Sequence, residues 1–230
     1  ISSVVEQVNQ ERLGTSLAIT VQARTWYNPN VESRWGIMPS LIATLSMMQT
    51  LLLSALSVAR EREQGTFDQL LVTPYTPTQI MIGKAIPPII IGVIQSSIIL
   101  AIILFWFQIP MNGSLTLLYF GLFAFNIAVV GVGLSISAIA LNMQQAMLYT
   151  FFLIMPLTLL SGLLTPVQNM PEVLNWLTYA NPLRFGIDLA QRVYLEGASF
   201  AQVKWDFVPM LILAIITLPL AAWLFRNRLS

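Results

Sequence analysis

The chain contains no cysteine and no histidine. Disulfides, thiol nucleophiles, Cys/His zinc sites, a histidine-held haem and a Ser-His-Asp triad are therefore excluded. Charge is also scarce: 9% of the 230 residues are Asp, Glu, Lys or Arg, against about 25% in ordinary soluble domains. From Ala85 to Pro171 there is no such residue at all. None of the 10 carboxylates falls inside a clear apolar run, which argues against a carrier that moves protons or sodium through an intramembrane acid. No Gly-x4-Gly-Lys-Ser/Thr phosphate loop occurs, so nucleotide is not bound here through that motif. The formal net charge of +1, with no basic patch or like-charge run, gives no sign of a nucleic-acid partner.

What is present is apolar: 56% hydrophobic residues and a mean hydropathy of +0.74. A soluble domain could not solvate the uncharged stretch, whereas a bilayer requires it. The reading is an all-α polytopic membrane protein with five transmembrane helices, an interfacial coupling helix and an outer helical hairpin. The spans are placed at 36–58, 85–107, 115–141, 146–164 and 207–225, each near the roughly 20 residues that cross a hydrocarbon core of about 30 Å. The connections 108–114 and 142–145 are short, so those neighbours run antiparallel. Lys and Arg are nearly balanced across the membrane, with Arg60, Arg62, Lys84, Arg226 and Arg228 facing Arg12, Arg24, Arg34, Arg184, Arg192 and Lys204. The first group clusters tightly at span ends, where the positive-inside bias acts, so 59–84 and the C-terminus are placed in the cytoplasm. Residues 1–34 then read as the end of an extracytoplasmic domain, and 35–230 as the transmembrane domain. The chain starts at Ile1 with a polar segment, so the expectation is a C-terminal portion lacking at least one upstream span.

Three stretches are candidates for function. The first is the charged cassette 59–84. Phe67, Leu70 and Leu71 form an apolar stripe, Glu61, Glu63, Gln64 and Asp68 supply polar surface, and Pro74 ends the helix. Thr76-Pro77-Thr78-Gln79 is a capping-box start for a second helix, which Pro87-Pro88 should bend. The pattern fits an amphipathic helix lying along the membrane, and equally a lever gripped by a cytosolic subunit. Gly65 is read as a tight helix contact and Phe67 as an apolar foot. The second stretch is the outer hairpin 165–205. There Asn169 to Glu172 should cap a short helix and Asn181-Pro182 another. Arg184, Asp188 and Arg192 form a polar stripe, with Arg184 and Asp188 expected to pair. Leu183, Ile187, Ala190 and Tyr194 form an apolar stripe. The third set is Gln95, Ser96, Ser97 and Asn126 within spans, read as interhelical hydrogen-bond partners or as candidates for lining a path. Gly131/Ser135 and Gly133/Ser137 are small-xxx-small pairs suited to close helix contact.

The order of these features carries a resemblance. It rests on Arg60-Glu61-Arg62-Glu63-Gln64-Gly65-Thr66 with Leu70, Leu71 and Pro74 after the first span, then three spans. Ser161-Gly162, Pro166, Met170-Pro171 and Asn181-Pro182 follow, and then a last span. This arrangement resembles the membrane subunit of bacterial type-2 ABC exporters, in particular multidrug-efflux permeases with a large periplasmic domain after their first span. The resemblance implies a permease with no catalytic residue, metal or cofactor of its own, ATP and magnesium being bound by a partner ATPase. It makes Arg60, Glu61, Arg62, Glu63, Gly65, Thr66, Phe67, Pro74, Thr76 and Pro77 the ATPase-coupling residues, and Pro166, Pro171, Asn181, Pro182, Arg184 and Asp188 those of the outer hairpin. It implies a second permease copy or a homologous permease, a bacterial inner-membrane location, and an ATPase as neighbour. A periplasmic adaptor is a further partner to test. The substrate would be drug-like or lipid-like. The competing classes are a membrane-embedded enzyme and an assembly scaffold without transport.

Overall fold

The computed structural model describes residues 33–66, 69, 74–165 and 167–227. Among them all regular structure is helical. The elements are α1 (Ser33–Glu63), α2 (Pro77–Phe105), α3 (Leu115–Ile139), α4 (Met143–Leu159), a 3-10 turn (Val167–Asn169), α5 (Glu172–Thr178), α6 (Pro182–Tyr194) and α7 (Phe200–Asn227). Four helices are long and apolar enough to cross a membrane: α1, α2, α3 and α7. The 17-residue α4 is shorter but equally apolar. At 1.5 Å per residue it reaches about 26 Å, the lower limit of a span.

Contacts between chain ends give the topology. The hairpin residue Gln191 bonds to Gly36 at the start of α1, and Lys84 near the start of α2 meets Glu61 at the end of α1. Tyr194 bonds to Ile109 just after α2. Arg62 reaches Ala140, the C-cap of α3, and Asn181 reaches Leu157 near the end of α4. Phe225 at the end of α7 packs with Val58, Leu134 and Ala138. The five helices α1, α2, α3, α4 and α7 thus alternate between a cassette end and a hairpin end.

α3 is the central element. Leu118, Leu122, Phe125, Ala128, Val129, Val130 and Leu134 along it are buried. Small residues let its neighbours approach. A Cβ on Gly133 would lie 1.9 Å from Ser54 Oγ of α1, and one on Gly131 would lie 2.1 Å from Thr217 Oγ1 of α7. The two small-residue pairs therefore face two different partners. Ser137 Oγ accepts hydrogen bonds from the Val58 and Ala59 N–H groups at 2.8 and 3.2 Å.

Several boundaries differ from those expected. The helix of the first span runs on past Val58, α1 continuing through Arg60–Glu63. The fourth stops at Leu159 rather than Leu164, where Ser161 and Gly162 (φ +91°) turn the chain. The last helix starts at Phe200, seven residues before the expected Phe207, which places Lys204 and Asp206 inside it. Pro87 and Pro88 do not interrupt α2. They remove the i+4 donors of the Gly83 and Lys84 carbonyls, and the helix runs on through them.

Candidate functional site

The cassette end is built on the last turn of α1. Thr66 N–H donates to Glu61 O at 3.0 Å and Gly65 N–H to Arg62 O at 3.2 Å. These are the two bonds of a Schellman termination, with Gly65 at φ +70° in the left-handed position. Among the described residues, nothing lies within 4 Å of a Cβ on Gly65. No described residue makes the tight helix contact expected at Gly65, whereas its backbone angle by itself favours glycine.

Of the acidic residues expected to face solvent or a partner, Glu63 is exposed and Glu61 half-buried, and each is bonded to another element of the subunit. Glu61 forms an ion pair with Lys84 of α2, the two side chains being 26% and 12% exposed. Its other oxygen, Oε2, is buried with no hydrogen-bond partner among the described residues. Arg62 Nη1 donates to the Ala140 carbonyl at 2.9 Å. Glu63 Oε2 accepts from the Met143 N–H at 2.8 Å, placing a carboxylate on the first residue of α4, where the helix macrodipole favours negative charge. Asn142 completes that start by accepting from Gln145 N–H at 2.8 Å. One helix turn thus holds α2 and the α3–α4 turn together. Arg60, Gln64 and Gly65 stay exposed, as do Pro74, Tyr75 and Thr76. The Thr76 capping box forms as expected, with both reciprocal bonds present and Pro77 in the first turn. Phe67, Asp68, Leu70 and Leu71 lie outside the described residues, as does Pro166.

The intramembrane polar groups are bonded within the bundle. Asn126 is fully buried; its Oδ1 accepts from Thr50 Oγ1 at 2.7 Å and Ser46 Oγ at 3.1 Å, and its Nδ2 donates to Leu122 O. Ser46 also donates to Gly92 O at 3.1 Å, so one cluster ties α1, α2 and α3. Ser96 is 1% exposed and bonds back to Gly92 O. Ser97 accepts from Tyr119 OH at 2.8 Å. Of the candidates for lining a path, Asn126 joins helices, Ser96 is buried and bonds within α2, and Gln95 and Ser97 are half-buried.

At the hairpin end, Asn181 caps α6 as expected: Oδ1 accepts from Leu183 N–H at 3.0 Å, while Nδ2 donates to Leu157 O at 2.7 Å. The cap of α5 differs. Pro171 holds the N-cap with no side-chain bond, and Asn169 closes the 3-10 turn instead. Leu183, Ile187, Ala190 and Tyr194 are buried, so the apolar stripe of α6 is the inward face. Tyr194 OH donates to Ile109 O at 2.6 Å, and burial pushes its phenol up to about 12. Asn112 donates from its backbone to Tyr194 O and from its side chain to Leu195 O. Gln191 donates to Ser40 Oγ at 2.7 Å and to Gly36 O.

The polar stripe is wired differently from the expected Arg184–Asp188 pair. Asp188 pairs with Arg192 at 3.3 Å, and Arg192 also reaches Asp206 of α7 at 3.1 Å and Gln202 O at 2.9 Å. Arg184 turns the other way. It donates to Thr178 Oγ1 and to Asn175 Oδ1 at 3.5 Å, and lies 4.4 Å from the centre of the Tyr179 ring. Between these walls is a cleft of about 490 Å³, lined among others by Asn175, Tyr179, Arg184, Asp188, Gln191 and Asp206. The sequence did not mark Gln191, Asp206 or Tyr194 OH, because each acts on a helix distant in the chain and none belongs to a local motif.

A bundle of apolar helices with a charged turn at one end and an amphipathic hairpin at the other defines a polytopic helical membrane protein. Residues 10–195 match the family model described as "ABC-2 type transporter"; the chain belongs to that family. It is 44% identical over 205 residues to the probable multidrug ABC transporter permease YbhR of Escherichia coli K12, covering 89% of this chain and 56% of that one. It is 34% identical over 182 residues to the probable multidrug ABC transporter permease YbhS of the same strain, covering 78% and 48%. It is 28% identical over 215 residues to the inner membrane transport permease YhhJ, covering 92% and 57%. The chain spans about half the length of the curated relatives it matches.

Proposed function

We propose that this chain is the greater part of the transmembrane domain of a permease subunit in an ATP-driven exporter. In this reading the cassette end faces the cytoplasm and meets a separate ATPase, which binds ATP and magnesium. The observation that carries the reading is the fastening of Arg62 and Glu63 to the α3–α4 turn and of Glu61 to α2. A displacement applied at Gln64–Tyr75 therefore reaches α1, α2, α3 and α4 at once, as conversion of ATP hydrolysis into helix movement requires. The hairpin end faces outward and releases a drug-like molecule, the class that the names of two relatives suggest; a lipid-like molecule is the alternative. A bacterial inner membrane is the corresponding location.

A second permease copy completes the path. The α4 surface supports this, for Leu148, Phe151, Phe152, Met155 and Leu159 are 52–70% exposed along one helix. The test is reconstitution of the whole permease with its ATPase in proteoliposomes, followed by drug-stimulated ATP hydrolysis and efflux. ATP hydrolysis without any transported molecule, over a panel of drugs and lipids, would leave only a scaffold. Sidedness is checked on the cysteine-free chain: Gln64→Cys should react with impermeant thiol reagents from the cytoplasm only, and Asn112→Cys from outside only.

A further inference from the structure

The two walls of the hairpin-end cleft differ in how firmly they are held. The α6–α7 wall belongs to the main core, with Leu189, Val193, Val203 and Phe207 buried together. It is further fixed by Arg192, Gln191 and the Asn112 bonds. The α5 wall is thin. Its helix has 7 residues, and Val173, Trp176 and Leu177 are 74%, 77% and 53% exposed. The polar side-chain ties from α6 to α5, among the described residues, are those of Arg184 to Thr178 and Asn175, reinforced by its stacking on Tyr179.

The charges on the firm wall provide Arg184 with a second partner. Asp188 and Asp206 share the single guanidinium of Arg192. Asp188 lies four residues from Arg184 on the same helix, the spacing at which helical ion pairs form. Its side chain is 49% exposed, and a carboxylate accepts from more than one donor. We infer that Arg184 is a two-position latch. Bound to Thr178, Asn175 and Tyr179 it closes α5 over the cleft; turned onto Asp188 it releases α5 and opens the cleft. The guanidinium is partnered in both positions, so switching strands no charge, and two discrete arrangements of one element are what a gate requires. The exposed apolar side chains of α5 suit it to move against lipid. That the opening releases a transported molecule rests on the proposed export function; the latch itself does not.

The experiment places spin labels at Val173→Cys on α5 and Glu196→Cys beyond α6, in the complete permease–ATPase complex in lipid nanodiscs, and reads the distance distribution. Arg184→Gln should lower the ratio of short to long separations about tenfold, the scale of a partly desolvated cation–π contact. Asp188→Asn should raise that ratio about twofold, as expected for loss of a helical ion pair. Opposite signs are the signature. If Arg184→Gln opens the cleft but Asp188→Asn closes nothing, Arg184 is a plain tie and the latch is overturned. Equal signs, or no shift in either, overturn it as well. Should Arg184→Gln fail to assemble, Arg184→Lys decides: it keeps the charge but loses the planar stack, and the distribution must move toward longer separations. Drug-stimulated ATP hydrolysis is measured on the same samples. A distance shift without stimulation refutes export and leaves the latch standing; stimulation without a shift does the reverse.

Discussion

At the scale of single residues, glycine and tyrosine show how one atom or one angle decides. Gly65 has no described residue near its Cβ position and adopts φ +70°, where an L side chain costs about 1–2 kcal/mol. Gly65→Ala and Gly65→Trp should therefore destabilise the protein by similar amounts, about 1 kcal/mol, in thermal unfolding in detergent. A Trp variant several times worse than the Ala variant would restore the tight contact that no described residue makes. Tyr194 is buried, with its OH on the Ile109 carbonyl and its phenol raised to about 12. A folded-state value above the unfolded value near 10 means that its contribution is complete below pH 10 and is lost as pH climbs through about 12. Tyr194→Phe should cost about 1–3 kcal/mol at neutral pH by leaving a buried carbonyl unpaired. It should also reduce the alkaline fall in melting temperature between pH 9 and 12.

At the scale of elements, the cassette end is a joint in which α1 grips a turn it never meets in sequence. Glu63→Ala removes the acceptor from the first N–H of α4 and should weaken that helix start by about 1 kcal/mol. Arg62→Ala releases the α3 C-cap carbonyl. Either change should leave nucleotide binding by the partner ATPase intact while lowering efflux per ATP hydrolysed, measured in the same proteoliposomes. Unchanged coupling in both would remove the joint from the mechanism.

The elements differ in how legible they were from sequence. The start of α2 was written locally, because Thr76 and Gln79 are three residues apart and satisfy each other. The cap at Asn181-Pro182 and the inward stripe of α6 were equally local. The small-residue pairs on α3 marked close contact without saying with which helix. By contrast, Glu61 and Glu63 read as solvated charges because their partners, Lys84 and Met143, lie on other elements. Arg184 and Asp188 read as a pair because spacing permits it, and Tyr179 with Thr178 competes for the guanidinium successfully. The drop in hydropathy separated Arg60–Glu63 from the apolar run before it, yet both belong to α1, since a helix does not stop where hydrophobicity does.

At the scale of the whole molecule, α4 presents a large uncovered apolar face. Leu153, Ile154 and Leu157 pack on the core, whereas Leu148, Phe151, Phe152, Met155 and Leu159 are exposed, and Phe151, Met155 and Leu159 border a second, apolar hollow of about 290 Å³. A second copy laid along this face would cover it. Phe151→Cys and Phe152→Cys, introduced singly in membranes, should each yield a disulfide-linked permease dimer on mild oxidation, and Phe123→Cys on the exposed side of α3 should not. Cross-linking at Phe123 alone would move the pairing face. The tryptophans add a second global marker. Trp106, Trp176 and Trp205 are 82%, 77% and 71% exposed near the hairpin end, and Trp223 is 57% exposed near the other, as interfacial aromatic belts require.

The joint between α1 and the α3–α4 turn also bears on how the protein is made. Orientation in a membrane is set by Lys and Arg flanking short loops, and Ala85–Pro171 supplies neither. The helices α3 and α4 therefore carry no Lys or Arg of their own to bias their orientation, and α2 carries Lys84 near its start. Arg60 and Arg62 at the end of α1 and Lys84 near the start of α2 are the cations next to this uncharged stretch on its N-terminal side. Arg62 also closes on Ala140, so a residue placed where the positive-inside bias would act is also one that fastens the bundle.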